Sequence, residues 1–326
     1  MGKSTFKQSV FAVKSVDDSI RSRCTSGGIF LELALMEIGN GGVVYGSAFD
    51  ENLMVCHIRC TTIEDIERCV GSKYSQSDMG SAISNVIADL KFGRHVLFTG
   101  TPCQVAGLVN CVPSRYRSSL IAVDLVCHGA PSPVLFQQHI GNIERVRGKK
   151  VVGYIHRPKN KGWGEHLETA VYSDESKEQG TRLLGVWKDI FYSETTLRPA
   201  CYSCPWSIDK RPGDLTIGDY WRIEDSHPEF RDRLGVSLVV ANTEEGLATV
   251  EGLSLDRIET SINDAAKGNP NLLEPTPRPL RTNAVWSSFE KRGFADAIKE
   301  QRFYVPLWKH LYRQAKPLLR KLGVLK

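Results

Sequence analysis

The sequence predicts an α/β protein in which helices cover the faces of a mixed sheet, with a more antiparallel second half and a helical C-terminal tail. Three observations predict this fold class. Apolar helical segments alternate with short buried strands through the first half, shorter strands of alternating polarity follow residue 150, and the chain ends in a basic helical pattern. At 326 residues, the chain can form a large core with a smaller appendage.

The first half alternates helix and strand in the order typical of a sheet covered by helices. An apolar helix is expected over residues 28–38, directly after a Thr-Ser-Gly-Gly turn. Thr62 is expected to cap a helix over residues 64–69. The other expected elements are a helix over residues 80–92 and strands over residues 42–47, 53–60, 95–99 and 120–126.

The second half is expected to be more antiparallel, because its apolar segments are short and alternate with polar residues. Its predicted strands cover residues 152–156, 167–172, 215–219 and 236–241. Residues 260–282 are rich in proline and asparagine and are expected to form an irregular connector. We therefore divide the chain into an α/β part (1–150), a β-rich part (151–259) and the connector with its basic amphipathic helical tail (260–326).

Composition excludes several classes of function. The net charge of +5 is small and dispersed, and no nucleic-acid-binding motif accompanies it, so no nucleic acid partner is expected. No apolar run reaches the ~20 residues of a spanning helix. The nine cysteines and the missing apolar leader predict a reducing cytoplasm without disulfides. Cys56 and Cys60 alternate with His57 and Arg59, which predicts that the two cysteines are buried in a strand.

Four other cysteines lie in three short motifs that are typical of a site. Cys103 lies in GTPCQ, Cys127 in DLVCHGAPSP, and Cys201 and Cys204 in RPACYSCPW. Thiolates that are scattered along a chain and end in a Cys-x-x-Cys-Pro run are typical ligands of a 4Fe-4S cluster. A zinc ion would more often use two compact pairs, and plain buried or redox-active thiols are the remaining alternative.

Two loops have the composition of a nucleotide-binding site. The turn at Ser26, Gly27 and Gly28 precedes a helix, where backbone N–H groups can receive a phosphate, although such a turn is more often only a cap. The GSKYSQS stretch supplies a cation, a stacking ring and hydrogen-bond donors, unless it is simply a solvated loop. These residues are Lys73, Tyr74, Gln76 and Ser77. Neither a phosphate-binding P-loop nor a Rossmann turn is found in the sequence.

Seven ordered motifs resemble those of a known family. They are SRCTSGGIF, GGVVYG, GSKYSQSDMG, VLFTGTPCQVAGL, VDLVCHGAPSP, RPACYSCPW and DLTIGDYW, between about Phe11 and Trp221. Together they resemble the beta subunit of deazaflavin (coenzyme F-four-twenty) hydrogenases and dehydrogenases, of the C-terminal domain type. The resemblance implies a flavoprotein that carries FAD and a 4Fe-4S cluster. It would pass electrons between a hydride-carrying coenzyme, either a deazaflavin or NAD(P)H, and a one-electron acceptor.

The resemblance also implies roles for individual residues. The cluster ligands would be Cys103, Cys127, Cys201 and Cys204. The FAD contacts would be Ser26, Gly27, Gly28, Lys73, Tyr74, Gln76 and Ser77, with Thr101, Pro102 and Gln104 beside the flavin. Candidates for proton handling are His128, His156 and Asp219, although a histidine next to a ligand more often tunes the site, and Asp219 can simply cap a turn.

The sequence departs from many relatives in lacking an N-terminal ferredoxin module, so an electron-carrier protein such as a ferredoxin is the expected partner. The basic tail carries an apolar stripe from Leu307 to Leu322, which predicts docking on the core or contact with an acidic partner or a membrane surface. The expected location is therefore the cytoplasm, with possible peripheral contact at the inner membrane face. Two other functions stay open: an accessory or scaffold protein of a surface-polysaccharide pathway without redox turnover, and a zinc-stabilised transferase.

Overall fold

An eight-stranded mixed sheet forms the centre of the protein. The computed structural model describes residues 6–206, 211–304, 312 and 315. The strands of this sheet are β1 (Ser9–Ser15), β2 (Val43–Phe49), β3 (Val55–Cys60), β4 (Val96–Gly100), β5 (Leu120–Leu125), β9 (Leu215–Asp219), β10 (Ser237–Ala241) and β11 (Leu255–Glu259). Their order across the sheet is β11-β1-β10-β9-β5-β4-β2-β3.

Four neighbouring strands at the centre of this sheet run in parallel. Strand β4 pairs in parallel with β2 on one side and β5 on the other, and β5 pairs in parallel with β9. The outer strands β3, β10, β1 and β11 pair antiparallel. The carboxyl ends of β2, β4, β5 and β9 therefore meet at one edge, which is where open α/β sheets bind ligands.

Helices cover both faces of the large sheet. The helices of the described residues are α1 (Asp18–Arg23), α2 (Ile29–Gly39), α3 (Ile63–Cys69), α4 (Ala82–Lys91), α5 (Pro102–Cys111), α6 (Pro133–Arg147), α7 (Arg182–Tyr192), α8 (Glu244–Glu251), α9 (Ile262–Gly268), α10 (Thr282–Arg292) and α11 (Phe294–Glu300). Val44 and Ala48 of β2 pack into one apolar cluster with α2 and α3, whereas Val43 and Tyr45 pack into another with α4 and α5. This alternation is the two-residue period of a strand that is buried on both faces.

A second, three-stranded antiparallel sheet follows β5 in the chain. It consists of β6 (Val151–His156), β7 (Glu168–Tyr172) and β8 (Lys177–Gln179). Together with α6, α7, α10 and α11, it encloses an apolar cluster in which Trp187 is fully buried. This sheet, with α6 and α7, is inserted between β5 and β9, which are neighbours in the large sheet.

The predicted fold class is confirmed. The buried runs predicted at residues 95–99 and 120–126 form β4 and β5, and the predicted strand at 215–219 is β9. The capping of α3 by Thr62 is also observed, as a capping box with Asp65. Strands β1 and β11 and helices α6 and α7 were not predicted. The large sheet takes strands from both sides of residue 150, so the two predicted parts share one sheet.

The C-terminal region is helical where the structure describes it, since α10 and α11 follow the connector. The connector itself is less irregular than expected, because it contains α9. Apart from Tyr312 and Ala315, the predicted apolar stripe of the tail lies outside the described residues. None of the helices in the described part of the chain has the length and apolar character needed to cross a bilayer.

Candidate functional site

A cavity of about 500 Å³ opens at the carboxyl edge of the parallel strands. Thr101 follows β4, Cys127 follows β5, and Asp219 ends β9, and all three line the cavity. Ligand cavities of a few hundred Å³ with mostly apolar walls are typical of cofactor and substrate sites. The position and size of this cavity make it the candidate functional site.

The amino end of α2 forms one wall of the cavity. Gly28, Ile29 and Phe30 line it, together with Thr25 and Ser26 of the preceding turn. Gly28 is the N-cap residue and has a φ of 100°, a left-handed conformation that glycine adopts without strain. The first N–H groups of a helix have no partner within the helix, so this wall is suited to an anion.

A chain of hydrogen bonds orients the polar groups at the end of β4. The Gln104 amide donates to the Ser77 hydroxyl over 2.9 Å, and its carbonyl oxygen accepts from the Thr101 N–H and hydroxyl. The Ser77 hydroxyl lies 2.8 Å from His57 Nδ1, and His57 Nε2 lies 3.0 Å from the Thr99 carbonyl. Because a carbonyl only accepts, Nε2 carries the ring proton and Ser77 donates to Nδ1. Burial lowers the pKa of His57, which favours this neutral tautomer.

A buried ion pair forms another part of the cavity wall. The Arg157 guanidinium donates to both carboxylate oxygens of Asp219, over 2.6 and 3.2 Å, and the Trp163 indole donates to the same carboxylate over 2.6 Å. Burial would raise the pKa of Asp219, but Arg157 and these hydrogen bonds outweigh it, so the pKa is lowered. Arg157 also lies over the Trp221 ring, 4.7 Å from its centroid. The wall therefore carries a fixed charge pair next to an aromatic ring.

Aromatic rings continue this wall. Tyr74 stacks on Phe191 with 4.3 Å between ring centroids, and the Tyr74 hydroxyl accepts a hydrogen bond from Arg157. Trp221 stacks on Trp163 at 4.8 Å. Tyr192 and His166 complete this side of the cavity. Flat ring faces of this kind are suited to a planar aromatic ligand.

Lys73 lines the cavity, but its ammonium group is engaged by the protein. It donates to the carbonyls of Arg68, Val70 and Gly71 at the end of α3, over 3.0 to 3.1 Å. These contacts match the three N–H bonds of an ammonium group. Burial lowers the pKa of Lys73 to about 8. Its predicted contact with a cofactor phosphate stays a prediction.

The four cysteines of the predicted cluster lie at one side of the cavity. Cys127 lines the cavity wall, and its sulfur accepts from the Gly129 N–H over 3.4 Å. A Cβ added at Gly129 would lie 3.1 Å from the Cβ of Cys201, so the segments at Cys127 and Cys201 are in contact. Burial, with smaller contributions from negative charge on Cys201, Cys103 and Cys204, raises the pKa of Cys127 to about 12. The other three thiols therefore lie near enough to Cys127 to affect its charge.

The cysteine cluster does not have the spacing of ligands around one ion. Among the described residues, which include all four cysteines, no three His, Cys, Asp or Glu side chains are grouped closely enough to hold a single metal ion. Cys103 is exposed at the start of α5, where its sulfur lies 3.2 Å from the Thr101 hydroxyl. The cluster therefore extends from the cavity wall at Cys127 to the surface at Cys103.

The cavity includes most of the residues predicted for cofactor binding, but not all. The predicted residues that line it are Ser26, Gly28, Lys73, Tyr74, Ser77, Thr101 and Gln104. Gly27, Gln76 and Pro102 are not among its lining residues. Gly27 instead packs so closely on β1 and β10 that a Cβ would collide with the Val13 carbonyl.

Of the three candidates for proton handling, two line the cavity and one does not. His128 and Asp219 line the cavity. His156 does not, because it is buried behind the wall and its Nδ1 lies 2.7 Å from a carboxylate oxygen of Glu168.

Several lining residues were missed from the sequence. His57 was placed on the face of β3 opposite Cys56 and Cys60, and no motif marked Phe191 as a site residue. Arg157 was considered only together with His156, and Trp221 ends the DLTIGDYW motif without an assigned role. A helical pattern of apolar residues at 183, 187, 190 and 191 was present and could have indicated α7. Nothing in the local sequence indicates that Arg157 pairs with a carboxylate 62 positions away.

Comparisons with known proteins agree with this architecture. The family described as the C terminus of the beta subunit of coenzyme F420 hydrogenase/dehydrogenase matches residues 93–265. Among solved structures, a chain of the F420-reducing NiFe hydrogenase complex from Methanosarcina barkeri is similar, with a TM-score of 0.53 and 18% sequence identity. The match covers 81% of this chain and 85% of that one. No curated protein matches the chain significantly. Since the family match spans more than half of the sequence, the chain belongs to the coenzyme F420 hydrogenase/dehydrogenase beta subunit family.

Proposed function

We propose that this protein is an iron-sulfur flavoprotein oxidoreductase that binds FAD and a 4Fe-4S cluster. It would pass electrons between a hydride-carrying coenzyme, either a deazaflavin or NAD(P)H, and a one-electron acceptor. The observation that carries the proposal is the position of Cys127, whose thiol lies in the wall of the cavity and among three further cysteines. One residue thus connects a cofactor-sized cavity to a set of four thiols.

The lining of the cavity supports a flavin dinucleotide. The amino end of α2 would receive the pyrophosphate, because Gly28, Ile29 and Phe30 at this end line the cavity. The ring faces of Trp221 and of the Tyr74–Phe191 stack are suited to the planar ring system. A bound flavin would accept two electrons as hydride and release them singly.

The chemistry of the four cysteines supports a cluster. In a 4Fe-4S cluster each iron binds one protein thiolate, and the donor set here is soft and all-sulfur. Cys103, Cys127, Cys201 and Cys204 would hold it. The Thr101 hydroxyl, 3.2 Å from the Cys103 sulfur, could then donate a hydrogen bond to that sulfur and raise the potential of the site.

The chain's own residues would hold the reacting groups rather than carry the electrons. The Gln104–Ser77–His57 chain fixes the Thr101 loop, which contacts both the cavity and Cys103. The Arg157–Asp219 pair orients its part of the wall and lies over the Trp221 ring. Because these polar groups bond to each other, they hold the lining in one arrangement.

The partners follow from the same proposal. The similar Methanosarcina barkeri chain is part of a hydrogenase complex, which supports a partner subunit or an electron-carrier protein such as a ferredoxin. The exposed position of Cys103 supports electron exchange at this surface. A peripheral membrane contact through the basic tail remains a prediction from the sequence.

Anaerobic purification and visible absorption spectroscopy test this proposal. We expect flavin bands, a broad iron-sulfur shoulder, and about four irons and one FAD per chain. Cys204→Ser should lose the iron and retain FAD that a hydride donor can still bleach, while transfer to a one-electron acceptor is lost. Cys111→Ser, at an exposed cysteine, is the matched control and should keep both cofactors. Colourless protein would favour the scaffold function, and one zinc per chain would favour the zinc-stabilised alternative.

A further inference from the structure

Two thiols outside the four-cysteine cluster are in contact with each other next to the same cavity. Cys60 is the last residue of β3 and Cys69 is the last residue of α3, and their sulfur atoms are 3.6 Å apart. Both side chains are buried, but Cys69 also lines the cavity. We propose that Cys60 and Cys69 are a peroxide-sensitive dithiol that closes to a reversible disulfide.

The geometry allows this bond to form with a small movement. A disulfide needs a sulfur–sulfur distance of about 2 Å, so the two atoms must approach by about 1.5 Å. Cys60 and Cys69 are the last residues of β3 and α3, so the movement falls at the ends of these elements, where Cys60 is paired with Val44 of β2. On the other side, the Cys69 sulfur lies directly against Gly46 of β2, where a Cβ would come within 3.0 Å of it. The sulfur is thus held between the β2 backbone and its partner thiol.

The two thiols differ in reactivity in the way that a sensor pair requires. The hydrogen bond between the two thiols and the positive charges of Lys73 and Arg68 lower the pKa of Cys69 against the opposing effect of burial. The hydrogen bond and burial raise the pKa of Cys60. Because Cys69 also lines the cavity, it is the thiolate that reacts, and Cys60 is the thiol that resolves. The cavity gives a small oxidant access to Cys69 and not to Cys60, which is fully buried.

The reaction balances with hydrogen peroxide as the oxidant. The Cys69 thiolate attacks one peroxide oxygen, the O–O bond breaks, and the products are a sulfenic acid at Cys69 and hydroxide. The Cys60 sulfur then attacks the Cys69 sulfur and displaces a second hydroxide. This hydroxide takes the Cys60 proton, and the first takes the proton that Cys69 lost on ionisation, so two waters form. In total, two thiols and one peroxide give one disulfide and two waters. A dithiol reductant reverses the bond.

The sequence makes the product easy to identify. Trypsin cleaves after Arg59, Arg68 and Lys73, so Cys60 lies in the peptide CTTIEDIER and Cys69 in CVGSK, with one cysteine in each. We would treat the purified holoprotein with one equivalent of peroxide, block free thiols with N-ethylmaleimide, and map the peptides. The expected result is a linked CTTIEDIER–CVGSK pair that disappears on reduction, with both peptides losing their N-ethylmaleimide label together.

Variants separate the two roles. In Cys60→Ser, we expect a sulfenic acid at Cys69 that dimedone traps, whereas Cys69→Ser should leave Cys60 unoxidised. Cys111→Ser is the control, since this exposed thiol should not affect the linked pair. Full alkylation of both peptides after peroxide would overturn the proposal. Pairing of either cysteine with a different one, or direct sulfinic acid formation at Cys69 in the unsubstituted protein, would also overturn it. These peptides are read in the unsubstituted protein, so the test does not depend on a variant folding.

Discussion

Replacing Arg157 with methionine tests how strongly the cavity wall depends on its buried ion pair. Arg157→Met keeps a long apolar side chain but removes the charge that faces Asp219. The Arg157 side chain is 4% exposed and that of Asp219 is 15% exposed, so the remaining carboxylate would have little water to replace its partner. Breaking a buried pair from one side typically costs about 3–5 kcal/mol of unfolding free energy. We expect a loss in that range at pH 7.

The chain offers a matched control on its surface. Arg147 also donates two hydrogen bonds to one carboxylate, that of Glu178, over 2.6 and 2.7 Å. The Arg147 side chain is 40% exposed, whereas that of Glu178 is 14% exposed, about as little as that of Asp219. The hydroxyls of Tyr172 and Thr181 also donate to Glu178, so these groups and the water that reaches the exposed place of Arg147 can replace the guanidinium. Arg147→Met should therefore cost about 1 kcal/mol or less. Because the two carboxylates are about equally exposed, the difference in cost mainly reflects the burial of the arginine.

The dependence on pH adds a second test with a defined sign. In the unsubstituted protein the pKa of Asp219 is lowered, so its stabilising contribution is present above its unfolded value of about 3.9 and is lost as the pH falls through the folded pKa. In Arg157→Met, the hydrogen bond from Trp163 remains, but the charge that outweighed burial is gone, so we expect the folded pKa of Asp219 to rise above the unfolded one. The deficit of the variant should then shrink as the pH falls from 7 towards 5.

Urea unfolding followed by circular dichroism, on samples of matched flavin content, measures both effects. Asp219→Asn combined with Arg157→Met should recover part of the loss, because the uncompensated charge is gone. Equal costs for Arg157→Met and Arg147→Met would refute the argument from burial. A deficit that grows in acid would refute the assigned ionisation of Asp219.

Two further predictions concern the anion site and a buried histidine. Thr25→Asp puts a negative charge at the amino end of α2 and should lower FAD content severalfold by repelling the phosphates, whereas the uncharged Thr25→Asn should not. Flavin absorbance per folded chain measures the FAD content of the two variants. Equal FAD content in both would show that α2 does not bind the phosphates. Burial lowers the pKa of His139 from 6.5 to about 3, so the unfolded chain binds a proton there that the folded protein does not. This difference should lower the unfolding free energy by about 2 kcal/mol between pH 7 and pH 5. His139→Leu should lose this acid sensitivity, and the exposed control His95→Leu should keep it. Urea unfolding of both variants at pH 7 and pH 5 would test this.

The centre of the fold could be predicted because its sequence pattern is local. Strands β4 and β5 are continuous apolar runs bounded by turn residues, and β9 has the same bounds in the sequence and in the structure. Strand β1 has no such clear pattern, and it forms by pairing with β10 and β11 more than two hundred positions away. A pattern read over a few neighbouring residues cannot show that a strand pairs with residues so far away in the sequence.

The same distinction applies to the site. Loops that follow the strands directly, such as those at Thr101 and Cys127, were predicted because a motif marks each of them. For His57, strand alternation gave the face of the strand but not what covers it. In the structure, Ser77 and the Thr99 carbonyl cover its ring. Lys73 was chosen for its charge, but the carbonyls that engage it belong to the end of α3.

The connection between β5 and β9 explains why one cavity can have such different walls. The two strands are parallel neighbours, yet about ninety residues separate them in the chain, and these residues form the small sheet, α6 and α7. This insertion supplies Arg157 and Phe191 to the cavity, and it also carries Cys201 and Cys204. The large sheet supplies the α2 wall and the Thr101 loop. An edge that would otherwise be an open cleft is therefore closed by a unit with its own apolar cluster, and the same unit brings two of the four thiols to the loop of Cys127.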